Sequence, residues 1–255
     1  MTEVLVTRSG AILELRLDRA GKKNALTFAM YQALTAALGQ ASADPSVRAA
    51  LVTANGETFC AGNDIADFMT PRPDFGAAPP SRFIEALVAF DKPLIAAVHG
   101  PAVGIGATML LHCDLVYAST TARLRMPFVS LGLVPEAGSS LLLPRRVGDA
   151  VAAEILLLGA WIDAERAREL RLVNAVLPSS ADLDAFARAR ANDLAASPPG
   201  ALRKTRALLR GDPTALRARI AEEAHGFAEC LTSPEAREAF TAFLERRAPD
   251  FSKRA

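Results

Sequence analysis

Short apolar runs separated by turn residues dominate the first half of the chain. Val4–Arg8 and Ile12–Leu17 flank Ser9-Gly10 and read as a β-hairpin. Thr27 stands where an N-cap is expected, and an amphipathic helix runs from it to about Ala43, where Asp44-Pro45 ends it. Ala49–Thr53 (AALVT), Leu94–Val98 (LIAAV) and Leu115–Ala118 (LVYA) are apolar on both faces, as buried strands are, and a helix over Ala102–His112 separates the last two. Val173–Leu177 reads as a late strand. Alternating short strands and helices indicate an α/β architecture.

Two stretches break this pattern. Thr70–Pro80 (TPRPDFGAAPP) holds four prolines and one glycine in eleven residues, so regular structure is not expected there. Such a loop is either a functional lid or disordered, and the pattern leaves both open. From Ala181 onward the periodicity is helical only, with segments Ser180–Ala196, Pro198–Arg210, Pro213–Leu231 and Pro234–Arg247 each beginning near a proline or a capping residue. The chain therefore divides into an α/β core over 1–195 and a helical region over 196–255, which packs on the core or on a neighbouring subunit. In Leu202–Arg210 (LRKTRALLR) the leucines have the spacing of a packing face, and the cations are expected in solvent.

Composition narrows the function. The 255 residues are 51% hydrophobic and 22% charged, as in ordinary globular proteins, and 29 basic residues against 28 acidic ones give a net charge of +1. That balance supplies no long-range field for nucleic acid or an anionic membrane, and neither is expected as a partner. Three scattered cysteines without a C-x-x-C give neither a disulfide framework nor a zinc site. No secretory leader pattern, peroxisomal address or bilayer-length apolar run is evident, so a cytoplasmic setting is expected.

Two segments carry candidate chemistry. Ala96–Met109 (AAVHGPAVGIGATM) runs from a strand through Gly100, Gly104 and Gly106 into a helix. Its third glycine position is Met109, so the dinucleotide fingerprint fails, but glycines that expose peptide N–H groups at a helix start remain. Close helix–strand packing explains the same glycines. Glu57–Phe68 (ETFCAGNDIADF) ends another strand–turn unit with Asn63-Asp64 at a helix start, and on its own it is a loop with an N-cap.

Taken together these segments resemble the crotonase, or enoyl-CoA hydratase/isomerase, superfamily. The matching pieces are Arg19–Leu26, Phe59–Ile65, Lys92–Gly106, Cys113–Ser119 and Met126–Ser140, in family order and spacing over about half the chain. The resemblance implies a spiral of ββα units with a C-terminal all-helical region that mediates homotrimers, often paired into hexamers. It implies an acyl-CoA thioester as substrate, with no cofactor and no metal. It places an oxyanion hole on the backbone N–H groups of Asn63 and Ile105, the latter where relatives often have glycine. CoA contacts are implied around Lys22, Lys23, Ala25, Leu26, Ala61, Gly62, Asp64, Ile65, Gly104 and Phe128. The two glutamates of the family's hydratases correspond here to Thr108 and Phe128, which cannot exchange a proton with water. The family's isomerases place one catalytic glutamate where this chain has Glu136.

The expected activity is therefore conversion of 3-enoyl-CoA to trans-2-enoyl-CoA. Hydration or another crotonase-type reaction is the alternative, and a non-catalytic CoA-ester or RNA-binding protein is the alternative of another class. Pro135-Glu136 also suits an ordinary helix start, Pro at the first position and an acid in the first turn. His99 is expected to be packed or loop-bonded, and His112 and Cys113 to be core.

Overall fold

The computed structural model describes residues 3–68 and 78–252, and the side chain of Phe68 is not among what is described. The Thr70–Pro80 expectation therefore falls largely outside the described residues. Its end does not: Pro79 and Pro80 form the first turn of a helix, where proline's fixed φ and missing N–H cost nothing.

Among the described residues the strands are β1 (Val4–Ser9), β2 (Ile12–Leu17), β3 (Ala49–Ala54), β4 (Leu94–Val98), β5 (Pro101–Val103), β6 (Leu115–Ser119), β7 (Arg123–Arg125), β8 (Ile162–Asp163) and β9 (Ala175–Leu177). The hairpin β1–β2 starts a six-stranded sheet of order β1-β2-β3-β4-β6-β9, parallel from β2 onward. A second sheet of order β5-β7-β8 stands beside it. Successive chain turns thus place one strand in each sheet, β4 then β5 and β6 then β7, before returning through helix. Pairing of β5 with β7 also explains why the helix expected over Ala102–His112 starts late. Ala102 and Val103 are strand, and only α4 (Ile105–Thr108) and a 3-10 turn (Met109–His112) are helical.

The remaining helices are α1 (Phe28–Ala43), α2 (Ile65–Phe68), α3 (Pro79–Ala89), α5 (Ser139–Val147), α6 (Asp149–Ala153), α7 (Ala164–Glu169), α8 (Ser180–Ala196), α9 (Pro199–Arg210), α10 (Thr214–Leu231) and α11 (Pro234–Glu245). Thr27 caps α1 as expected, accepting from Met30 N at 3.3 Å. At the other end of α1 the buried Lys92 ammonium donates to the carbonyls of Ala41 and Asp44, the place where a helix dipole favours a cation.

Two apolar clusters hold the sheet from its two faces. The larger joins β2, β3, β4 and β6 to α1 and α3, and it reaches Phe227 of α10 and Phe240 of α11. The smaller lies under α8, where Leu183, Ala187 and Ala191 cover Ile12, Leu51, Ile95 and Tyr117. Strands β3 and β4 are buried at every position, which is why their sequences are apolar without alternation.

Helix α9 contradicts the expectation for LRKTRALLR. Leu208 and Leu209 are 84% and 83% exposed, whereas Arg206 is buried. The cation turns inward because acceptors wait there: Arg206 Nε donates to Asp114 Oδ2 at 2.7 Å and its Nη1 to Phe90 O at 2.6 Å.

A charged contact fastens α8. Arg188 donates to both oxygens of the buried Glu14 at 2.8 and 2.9 Å and also to Asp184. Burial pushes the Glu14 carboxyl up, but the bonds from Arg188 and Thr53 outweigh it and hold its pKa low. Arg188→Ala leaves that carboxylate short of two donors and should cost about 2 kcal/mol, read as a lower urea midpoint at unchanged slope.

Candidate active site

The site begins with two backbone loops clamped together. Cys60 N donates to Pro101 O at 3.1 Å and Val103 N to Cys60 O at 2.9 Å, a one-residue parallel bridge between the segment after β3 and strand β5. On the other side Leu26 N donates to Gly62 O at 2.8 Å and Asp64 N to Leu26 O at 2.9 Å. Residues 23–26, 60–64 and 101–105 therefore lie side by side. Gly106 makes the approach possible by its missing side chain, and Gly104 by its positive φ. A Cβ on Gly104, whose φ is +56°, would stand 3.9 Å from Gly62 Cα, and one on Gly106 would stand 2.7 Å from Cys60 O.

The amides of Asn63 and Ile105 sit one residue beyond the Gly62–Gly104 contact. Neither donates to an acceptor among the described residues. Asn63 lies just before α2, and Ile105 is the first residue of α4, where N–H groups lack intrahelical partners. Two unpaired donors on adjoining loops can stabilise a developing oxyanion.

The other residues named from sequence fall into three places. Lys22 and Lys23 are exposed, Lys22 closing a 3-10 turn and Lys23 following with φ +53°. Ala25, Leu26, Ala61 and Gly62 belong to the bridged loops, with Ala61 N donating to Lys23 O at 3.0 Å. Asp64 bonds to Arg19 at 2.7 Å and caps Ala66 N at 3.0 Å. Burial raises its pKa less than those bonds lower it, so it stays ionised as a structural anion. Ile65 opens α2 half-buried, and Phe128 is buried with its carbonyl accepting from Leu131 N and Leu133 N. His99 is loop-bonded, to Gly56 O at 2.8 Å.

Glu136 does not stand in the first turn of a helix. Helix α5 starts three residues later, and Ala137 and Gly138 take positive φ of 59° and 70° between them. Glu136 is 8% exposed, and Thr108 Oγ1 donates to its Oε1 at 2.9 Å. Burial drives its pKa up to about 7; the Thr108 bond opposes this, and the nearby Glu223 charge adds to it. A carboxylate so placed is half-ionised near neutrality, which suits a group that both takes and returns protons.

Three contacts that the sequence did not reveal hold this site. His112 Nε2–H donates to Ala137 O at 2.7 Å, and burial lowers its pKa to about 4, so the ring is neutral. The histidine is core, as expected, but it also anchors the residue after Glu136. From α10, Glu223 accepts from Gly138 N at 2.6 Å and Ser140 N at 2.9 Å, capping α5 with a side chain 85 residues away in sequence. Its clue was a carboxylate on the inward stripe Ile220–Glu223–Phe227, where an apolar residue is ordinary. The buried Tyr31 hydroxyl donates to Asn63 Oδ1, so α1 fixes the side chain of the residue whose amide is free.

The family model for enoyl-CoA hydratase/isomerase matches residues 7–254. The chain belongs to the enoyl-CoA hydratase/isomerase family. A 2,3-dehydroadipyl-CoA hydratase of Escherichia coli is 35% identical over 100% of both chains. Enoyl-CoA delta isomerase 2 of Rattus norvegicus is 37% identical over 96% of this chain and 64% of its own length. Among solved structures, Pseudomonas aeruginosa OdaA shares 48% identity at a TM-score of 0.93, covering 96% of this chain and 100% of its own. The family fold accounts for the paired sheets and the C-terminal helical region described above, and the family's relatives carry both hydratase and isomerase names. No helix of the described residues is long and apolar enough to cross a membrane.

The Glu136 carboxyl leaves a stability signature. Its folded pKa, about 7, lies above the ordinary value of 4.5, so the folded state holds the extra proton between them. That contribution is full below the lower value and is lost as pH rises through the upper one. Relative to Glu136→Gln, the native chain should lose roughly 3 kcal/mol between about pH 4 and pH 8, measured from urea midpoints; a constant difference contradicts the assignment.

Proposed function

We propose that the protein isomerises 3-enoyl-CoA to trans-2-enoyl-CoA. The supporting observation is that Glu136 is a buried carboxylate poised near neutrality whose oxygen is bonded to Thr108, a side chain without acid–base capacity at that pH. Hydration needs a water held and activated by a base while a second acid delivers a proton. Double-bond migration needs only one group that removes a proton from C2 and returns it to C4.

In this reading the thioester carbonyl lies against the amides of Asn63 and Ile105. Proton loss at C2 moves charge onto the thioester oxygen, and fixed donors stabilise it as it forms; losing one such donor costs typically ~3–4 kcal/mol of barrier. Glu136 takes the C2 proton as a carboxylate, becomes neutral in its buried position, and delivers the proton to C4 as the enolate collapses to the conjugated product. The donor from Thr108 steadies the carboxylate and fixes which oxygen is free. CoA would lie along residues 22–26 and 61–65, with Lys22 and Lys23 near its phosphates. No cofactor enters this scheme, since the proton returns to the substrate.

The names of relatives such as the Escherichia coli enzyme favour a second reading, hydration of a 2-enoyl-CoA. One assay separates the two. With a 3-enoyl-CoA, ultraviolet absorbance of the conjugated thioester should rise; with a 2-enoyl-CoA it should stay, whereas a hydratase removes it. Glu136→Gln should lower turnover about 10³-fold with ligand affinity unchanged. Thr108→Val removes the bond that favours the ionised form, so the acidic limb of kcat/KM should move to higher pH. An unchanged limb contradicts the pairing.

Self-association into a trimer or hexamer is part of the same proposal. Leu208, Leu209, Phe243 and Leu244 of the helical tail are each at least 60% exposed, an apolar surface suited to a second copy.

A further inference from the structure

The inverted packing of α9 builds a cationic groove on the far side of His112 from the oxyanion-hole amides, next to the backbone that follows Glu136. It lies between the end of α3, the 3-10 turn Met109–His112, α5 and the corner joining α9 to α10, and its volume is about 730 Å³, within the range of small-molecule sites. Arg145, Arg146, Arg203, Lys204, Arg206 and Arg210 line it, against three carboxylates, Asp91, Asp114 and Asp212.

Those carboxylates do not neutralise the cations. Asp114 alone serves both Arg206 and Arg210, at 2.7 and 3.1 Å. Asp91 meets Arg203 at 3.5 Å, and Asp212 accepts from Thr214 at the start of α10. Arg146 has, among the described residues, only the carbonyls of Leu111 and Cys113 as acceptors, at 3.0 and 3.3 Å. Arg145 and Lys204 are exposed, with no ion-pair partner among the described residues. Arg206 is 7% exposed, and its Nη2 has no acceptor among the described residues. Desolvation lowers the pKa of Arg146 and Arg206, and the neighbouring Arg210 charge lowers both further. A site that gathers mutually repelling guanidinium groups and leaves one N–H orphaned lacks an anion.

We infer that this groove binds a small polyphosphate-bearing molecule of the nucleoside diphosphate class. Guanidinium groups match phosphate oxygens two at a time, and clustered cations raise the local anion concentration. The groove is far larger than one phosphate ion. Val88, Leu111, Leu142 and Leu216 give it an apolar wall for a base and sugar. It opens where Asp91 and Asp114 precede β4 and β6, so it sits at the N-terminal end of β4, the strand whose C-terminal end leads through β5 to Ile105. The groove is separate from the Asn63 and Ile105 amides, and the inference does not rest on the proposed isomerisation.

ADP titrated calorimetrically into the full chain tests this, the groove variants and the Lys22/Lys23 variant telling the groove from the residues proposed to hold CoA. One ADP per chain should bind, more weakly as salt is raised. Arg145→Glu with Lys204→Glu should weaken binding at least about tenfold, since both side chains are exposed and the fold should survive their change; Arg203→Glu provides a second variant should that pair misfold. Lys22→Glu with Lys23→Glu should leave the affinity within about twofold, because those lysines lie at the other site. No saturable binding, as when a second protein copy fills the groove, overturns the inference. So does binding unchanged by the groove variants or abolished by the Lys22/Lys23 pair.

Discussion

A carboxyl group enclosed by protein stays where it is only if the chain around it is held from behind, and Glu136 depends on that constraint. The segment before α5 has positive φ at Ala137 and Gly138, a conformation that a free chain seldom keeps. His112 grips the Ala137 carbonyl from the 3-10 turn, and Glu223 grips the Gly138 and Ser140 amides from α10. Neither group touches the free end of Glu136. Together they fix its backbone, and burial then sets its acidity. The Glu223 charge pushes that acidity the same way, so the contact that caps α5 also tunes the candidate base.

The fold brings the other half of the site to the same place. Strands β3 and β4 end on one edge of the large sheet, and the chain leaves each through a loop that reaches β5. Because Gly106 has no side chain, its loop approaches Cys60 closely, and the Asn63 and Ile105 amides on the adjoining loops have no acceptor among the described residues. Tyr31 ties the Asn63 side chain to α1. The helical tail adds Phe227 and Phe240 to the main core, so Glu223 reaches α5 on a helix that is itself anchored. The same tail turns the cations of α9 inward and its leucines outward, which separates a polar groove from an apolar outer face.

Much of this was legible in the sequence because it is local. The hairpin, the Thr27 cap, the all-apolar strands β3 and β4 and the glycine-rich turn each announce themselves within a few residues. Glu136 and the two amides were singled out through family spacing, while local rules alone assigned the glutamate to a helix start that lies three residues further on. What was not legible is long-range. Ala102 and Val103 are strand because of a partner strand that starts at Arg123. Leu208 and Leu209 face outward because Asp114 and the Phe90 carbonyl draw Arg206 in. Periodicity has no access to such partners, and hydrophobic spacing alone points the helix the wrong way round. Glu223 lies between these cases: its position on an apolar stripe is visible, but what it caps is not.

The central claim is that one enclosed carboxyl carries a proton from C2 to C4 of a bound acyl-CoA. A 3-enoyl-CoA bearing deuterium at C2, turned over in ordinary water and sampled early, tests it most directly. If Glu136 carries the proton within a closed site, part of the label appears at C4 of the conjugated product, detected by mass spectrometry or proton NMR. If every new hydrogen at C4 comes from solvent even at the first turnovers, no proton is carried from C2 to C4 within a closed site, and the account is contradicted.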